Sequence, residues 1–451
     1  MKKYLILPAI GFSCICSWSS VNYAAEASAL GSATSVGSTL EDFFTAALSY
    51  SPKLRIAAEQ LNIGSARKRA ANGALLPQIN ANANLSDNRR NEFGQLQEFD
   101  GERFSVSLSQ TLFNWEAFAA RSEAYLREDQ MEATYYAELA LLLTDVAERY
   151  FTVLQSSDAL ESISSELDAI DNQVNQIQSF YDLQLAQITD LYDAQARQAA
   201  VQSQQLELQS QLALSREALR AITGVSIGQL YELAELAEVP TVVNNVEYWV
   251  QQALTGNKQI LASQFALQAA AKSIDGRRGA YMPRVSLIVQ RQDSNLGFDN
   301  ALINQTDTTF IGLDVSIPLY AGGRNNAAVS EAISRQSIAE SELRQIQLDV
   351  GASTRTAFLQ VKSSELRTAA ATRLVESTTL SATANQQGFD LGTVTSVDVL
   401  NSLRDRYIAE RDLQRTRYEH INFYLMLMRE TGMLTPEDLL EIGALLVAPG
   451  N

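Results

Sequence analysis

Phe104-Ser105-Val106-Ser107-Leu108-Ser109-Gln110-Thr111-Leu112-Phe113-Asn114-Trp115 is the stretch on which the fold turns. Phe104, Val106 and Leu108 alternate with Ser105, Ser107 and Ser109. That period of two makes a strand with one apolar and one polar face. From Trp115 the pattern changes. Residues 115–223 hold no Gly and no Pro, a run of 109 residues rich in Ala, Gln, Leu, Glu and Ser. Such composition favours helix, and a helix of ~60 residues rises ~90 Å, far more than a globular core needs. Within the run, Ile163, Leu167, Ile170, Val174, Ile177 and Tyr181 follow the 4,3 spacing of helices packed along their length, as do Leu139, Leu143, Val146, Tyr150 and Val153.

The same junction occurs twice. Gly73-Ala74-Leu75-Leu76-Pro77 recurs as Gly279-Ala280-Tyr281-Met282-Pro283, an offset of 279 − 73 = 206. Val106 to Phe113 recurs as Leu313 to Tyr320, at 313 − 106 = 207, and Tyr181-Asp182-Leu183 with Asp190 as Phe389-Asp390-Leu391 with Asp398, at 389 − 181 = 208. Landmarks in one order at nearly one offset mark an internal duplication. The expected halves are residues 39–240 and 241–445. Each reads helix, strand, strand, very long helix, turn, helix. Strands are expected near 76–88, 103–114, 282–293 and 308–320, and helical turns near 181–189 and 388–396. Asp87–Gly101 and Asp293–Asp307 read as polar, turn-rich connections. In the second half Arg324 to Gln387 holds Gly351 as its sole breaker, and Thr393 to Thr431 has none.

Composition bounds the function. The 451 residues carry 35 Lys+Arg against 52 Asp+Glu, a formal net charge of −17, with mean hydropathy −0.10. An acidic chain lacks the clustered positive charge of a nucleic-acid surface. One histidine, His420, excludes a multi-His metal centre, and its expected role is structural. No Walker loop, dinucleotide fingerprint, zinc spacing or nucleophile elbow is present, so no enzyme and no cofactor is expected. Lys2 and Lys3, the apolar run Tyr4–Ile15 and Ala25-Glu26-Ala27 read as a signal peptide spanning residues 1–24, cleaved between 24 and 29. Cleavage would remove Cys14 and Cys16, the two cysteines of the sequence.

The strands span ~10–12 residues, the length a tilted strand needs to cross a bilayer. Ile79, Ala81, Ala83 and Leu85 alternate with Asn80, Asn82, Asn84 and Ser86; Val285, Leu287 and Val289, and then Ile311, Leu313, Val315 and Ile317, repeat the pattern. Strands in lipid must close, because each unpaired backbone group there costs several kcal/mol. Four strands cannot close a pore, so the chain must oligomerise, and three copies supply 12 strands. The fold class expected is mainly α with a transmembrane β-barrel, carried on long coiled-coil-like helices. A soluble periplasmic coiled-coil adaptor or structural protein, with the strands in an ordinary small sheet, is the alternative.

The order of these landmarks, from Leu40 to Leu446, resembles the TolC family of trimeric outer-membrane efflux and secretion channels. Tyr181-Asp182-Leu183-Gln184-Leu185-Ala186-Gln187-Ile188-Thr189-Asp190 and Phe389-Asp390-Leu391-Gly392-Thr393 through Asp398 to Asn401 are its most specific pieces. Ile317-Pro318-Leu319-Tyr320-Ala321-Gly322-Gly323 is a third. The resemblance implies a homotrimer in outer-membrane lipid, a 12-stranded barrel over a periplasmic helical tunnel, and a passive exit duct. It also implies docking to a periplasmic adaptor (membrane fusion) protein and to an inner-membrane transporter of RND, MFS or ABC type. Leu183, Gln184, Leu185, Leu391, Gly392 and Thr393 would be the adaptor-facing tips. Pro77, Pro283, Pro318, Gly322 and Gly323 would mark helix–strand transitions. Gln184 stands where the family often has Gly, which predicts a looser first tip.

Asp190 and Asp193 share one side of a helix, and Asp398 and Asn401 repeat that spacing. In a three-fold assembly each becomes a ring, favouring cations in a pore constriction; helix capping accounts for the same residues. Arg67-Lys68-Arg69 and Arg277-Arg278 precede strands and read either as lipid-phosphate contacts or as solvated helix faces. Phe104, Phe113, Trp115, Phe310 and Tyr320 flank strands as candidate aromatic girdles, or as core.

Overall fold

In the computed structural model, residues 36–234, 240–295 and 306–448 are described. The expected signal peptide and both cysteines lie outside them. The first repeat holds α1 (Leu40–Tyr50) and α2 (Pro52–Gly73), continues into β1 (Gln78–Glu92) and β2 (Gln95–Phe113), and then into α3 (Trp115–Asp182) and α4 (Ile188–Thr223). The order repeats as α5 (Val246–Gly256), α6 (Lys258–Gly279), β3 (Arg284–Asn295), β4 (Thr306–Ser316), α7 (Arg324–Asp390) and α8 (Ser396–Glu430), closed by α9 (Pro436–Gly443).

Local chemistry sets the helix ends. Thr39 and Asp42 form a capping box at the start of α1, and Ser51 caps α2 ahead of Pro52. Asn114, which follows the last residue of β2, accepts from the Ala117 N–H at 3.3 Å and starts α3. In the second repeat that place belongs to Gly322 and Gly323, both at positive φ, 61° and 82°. A left-handed pair at this turn calls for glycine.

α3 and α7, of 68 and 67 residues, rise ~100 Å each. Each is flanked end to end by shorter helices. α2 and α6 pack on α3 near the sheet, and α4 and α8 pack on it farther away; α6, α5 and α8 pack along α7. Halfway along, α1, α9 and two short strand pairs thicken the bundle. Val36-Gly37 pairs with Ser226-Ile227, and Glu232-Leu233 with Leu446-Val447. The largest core lies there: Phe43, Tyr150 and Phe151 meet edge to face in series, and Phe151 stacks on Tyr418, at 5.7–5.9 Å between ring centres. The Tyr150 hydroxyl donates to the carbonyls of Tyr231 and Ser38, at 2.9 and 3.2 Å. Burial raises its pKa well above the usual phenol range. A second core joins Ile163, Ile170 and Ile177 of α3 to Leu191, Ala194 and Val201 of α4 and Leu400 of α8.

The four long strands form one antiparallel sheet in the order β1-β2-β3-β4. The first hairpin is longer than the sequence suggests. β1 starts at Gln78 and runs on to Glu92, and β2 starts at Gln95 rather than near 103. Asp87–Gly101, read as a connection, is strand apart from the Phe93-Gly94 turn, both residues at positive φ. Its residues are mostly polar, and Leu96 and Phe99 are three apart and so out of step with a period of two, which removes the two-residue hydrophobic alternation without removing the ladder. β3 runs to Asn295, two residues past the expected end, while β4 stops at Ser316, ahead of Pro318, which cannot donate to a ladder.

Candidate functional site

Register places the sheet's side chains on two unlike faces. Ile79, Leu108, Val289 and Ile311 lie opposite one another across all four strands. Val285 and Leu287 sit beside Val315 and Leu313 in the rows below. On the other face the rows read Asn82, Ser105, Gln292, Thr308 and Asn80, Ser107, Gln290, Phe310. The apolar face is uncovered: Ile79, Leu85, Ile311 and Leu313 keep 63–71% of their exposure. A contiguous apolar patch of this kind marks an interaction or membrane surface. Gln110 interrupts it and is satisfied internally, donating to the Leu75 carbonyl at 2.8 Å. Among the described residues, the outer edges of β1 and β4 pair with no strand.

The girdle residues divide. Phe104 belongs to the apolar face, whereas Phe310 falls on the polar one. Pro77 and Pro283 each immediately precede a strand, and Pro318 follows one. Lys68 forms an ion pair with Glu128 of α3, beside Ser65, and so is engaged inside the fold. Arg277 and Arg278 occupy the last turn of α6, where cations suit the helix dipole.

At the far end the two helical hairpins turn alike. Leu183 caps the end of α3, and the Leu185 N–H reaches the Phe180 carbonyl at 2.8 Å; Leu391 caps the end of α7, and the Thr393 N–H reaches the Gly388 carbonyl at 2.8 Å. Gln184 takes φ 62° where Gly392 takes 72°. The first tip is thus as tight as the second, contrary to the expectation from Gln184, and a non-glycine residue holds the left-handed position at some cost. Leu183, Leu185 and Leu391 point into solvent, 68–80% exposed. The tips touch: Phe180 lies 5.8 Å from Phe389, and the Gln176 amide donates to Asp390 at 3.2 Å.

Asp190 is half-buried in the first turn of α4, and Asp193 is exposed one turn on. Asp398 closes a capping box: the Thr395 hydroxyl and N–H donate to its carboxylate at 2.6 and 3.3 Å, and its own N–H donates back at 3.3 Å. Asp398 and Asn401 are exposed and line a polar groove of about 410 Å³ with Thr378, Ser381, Asn385 and Asp405. Capping is therefore real for Asp398 and leaves the carboxylate facing solvent.

A buried carboxylate escaped the sequence reading. Glu166 of α3 is 1% exposed and accepts from Arg197 of α4 and Arg411 of α8, each at 3.0 Å. It sits in the packed seam Ile163, Glu166, Ile170, Gln173, Ile177, while Leu167 and Val174 are only partly buried. α3 faces two helices at once, so its buried stripe is wider than one 4,3 series. A charge three residues after Ile163 was the available signal. Higher up, burial lifts the Asp158 carboxyl to about 6, and the Tyr418 hydroxyl donates to it at 2.7 Å. His420 is buried between Ser364 (2.7 Å) and the Pro240 carbonyl (3.2 Å), and burial lowers its pKa; this is a structural setting.

An antiparallel sheet with an uncovered apolar face, carried on helices ~100 Å long, defines an outer-membrane channel subunit. Residues 44–225 and 249–432 match the outer membrane efflux protein family, and the chain belongs to that family. It is 28% identical over 423 residues to outer membrane protein TolC of Vibrio cholerae serotype O1, covering 92% of this chain and 96% of that one. It is 25% identical over 411 residues to the alkaline protease secretion protein AprF of Pseudomonas aeruginosa, covering 89% and 85%. The crystal structure of the Campylobacter jejuni CmeC outer membrane channel shares the fold, with TM-score 0.77 at 16% identity over 93% of this chain and 94% of that one. The chain is an outer membrane efflux protein of TolC type, from a family of channels rather than enzymes.

Proposed function

We propose that three copies close a 12-stranded barrel over a shared helical tunnel, forming a passive exit duct from the periplasm. The single observation that carries this is the sheet: among the described residues, two unpaired edges and an uncovered apolar face, which lipid and neighbouring copies together satisfy. β1 and β4 run antiparallel to one another, so edge-to-edge pairing extends one antiparallel sheet around a ring. Strands of a soluble adaptor would turn such a face inward. Residues 39–240 and 241–445 act as tandem repeats, and residues 1–24 direct export.

The chain hydrolyses nothing; a periplasmic adaptor and an energised inner-membrane transporter of RND, MFS or ABC type supply the cargo. The exposed leucines at the tips, Leu183, Leu185 and Leu391, with Gln184, Gly392 and Thr393 beside them, are the adaptor-facing surface. Asp190, Asp193, Asp398 and Asn401 ring the periplasmic mouth. Purified protein in planar bilayers tests the reading. Cation-selective conductance from material that light scattering shows to be trimeric is expected. A soluble monomer that never conducts overturns it.

A further inference from the structure

We infer the register in which one copy's β4 pairs with the next copy's β1, a step that rests on the trimeric reading above. The duplication makes two kinds of seam in the ring. One lies inside the chain, where the second strand of the first repeat pairs with the first strand of the second repeat. The other lies between copies, where β4 meets the neighbour's β1. Tandem repeats of one unit make these seams quasi-equivalent.

The internal seam is observed: Leu108 lies opposite Val289, and Val106 opposite Arg291. The repeat offsets of 207 along the second strand and 206 along the first carry Leu108 to Val315, Val289 to Ala83, Val106 to Leu313 and Arg291 to Leu85. The two hairpins obey the same offsets. Ile79 opposite Leu108 becomes Val285 opposite Val315, as observed. Val315 of one copy therefore faces Ala83 of the next, and Leu313 faces Leu85. This register keeps the apolar face on one side across the seam. It sets Thr309 opposite Arg89 and Asp307 opposite Asn91, so no like charges meet.

A helix contact at the rim, carried by the same duplication, supports the same assembly. Gly279 ends α6 against the start of α3, where a Cβ would lie 2.8 Å from the Glu116 backbone N. Its repeat partner Gly73 ends α2 with nothing within 4 Å. By the same duplication, at offsets of 207–208, the neighbour that fits against Gly73 is the turn into α7, Gly322-Gly323-Arg324, of the adjoining copy.

The test is cysteine cross-linking of the full chain in detergent, where a matched cross-strand pair brings Cβ atoms to ~4.5–5.5 Å. Leu85→Cys with Leu313→Cys is expected to yield a reducible covalent trimer at least tenfold more efficiently than Leu85→Cys with Ile311→Cys or with Val315→Cys. Preference for either shifted pair overturns the register, as does failure of all three in material that is trimeric by light scattering. Monomeric material overturns the trimeric reading itself. Gly73→Val is expected to keep the helical circular dichroism and lose the trimer; a normal trimer refutes the Gly73 contact.

Discussion

Glu166→Gln keeps the shape of the side chain and removes its charge. In the wild type one carboxylate, 1% exposed, neutralises guanidinium groups from two other helices, so the change strands two cations at once. Breaking a fully buried pair costs ~3–5 kcal/mol. Here Arg197 and Arg411 keep 29% and 15% of their side-chain exposure, so water recovers part of that loss. The expected cost is about 2–3 kcal/mol, equivalent to roughly a 30- to 150-fold rise in local opening. Hydrogen exchange read by mass spectrometry should show that acceleration in peptides spanning residues 160–170, 193–201 and 405–415, with the β-strands unchanged. Arg411→Gln alone should accelerate the α3 and α8 peptides. The double variant should cost less than the sum, because the groups share one anion. Unchanged exchange in α4 and α8 would refute the view that Glu166 ties the two hairpins together.

Three further outcomes follow from residues described above. Burial raises Asp158 to about 6 from an ordinary 3.8, so the folded state holds this proton more tightly than the unfolded chain. Its contribution is therefore fully present below about pH 4 and is lost as pH rises through about 6. Asp158→Asn should flatten stability across that window and raise it at pH 7 by up to about 3 kcal/mol, measured by urea titration of the helical signal at each pH; a variant as pH-sensitive as the wild type sinks the assignment. Asp398→Ala should reduce cation selectivity in bilayers, whereas Thr395→Val, which breaks the cap and keeps the carboxylate, should leave the reversal potential alone. Gln184→Gly relieves a left-handed residue and should slow exchange at the first tip, corresponding to about 1 kcal/mol; Gly392→Gln should do the opposite at the second.

Much of this architecture is written locally. The breaker-free run after Trp115 forms α3 and α4 save for the turn at the tip, and the alternation of Ile79–Leu85 and Ile311–Ile317 sets the face of each strand. What the sequence hides are features decided by two partners at once. Glu166 looks like one more surface acid until α4 and α8 each bring an arginine to it. The upper part of the first hairpin is mostly polar, with Leu96 and Phe99 three apart, so its ladder leaves no period-two hydrophobic trace. Gln184 follows its neighbours' turn rather than its own preference, because the hairpin geometry outweighs a local cost of ~1 kcal/mol.

Phe310 shows what a missing side chain does for its neighbour. The ring emerges among Asn, Ser, Gln and Thr, and a Cβ on Gly312 would come within 2.4 Å of it. Because Gly312 has none, the ring reclines along its own strand instead of standing out from the wall. In the barrel proposed above, with the polar face turned to the lumen, a ring that lies down would occupy little of the cross-section, so bulky traffic would brush past a smooth greasy spot rather than squeeze through a bottleneck there.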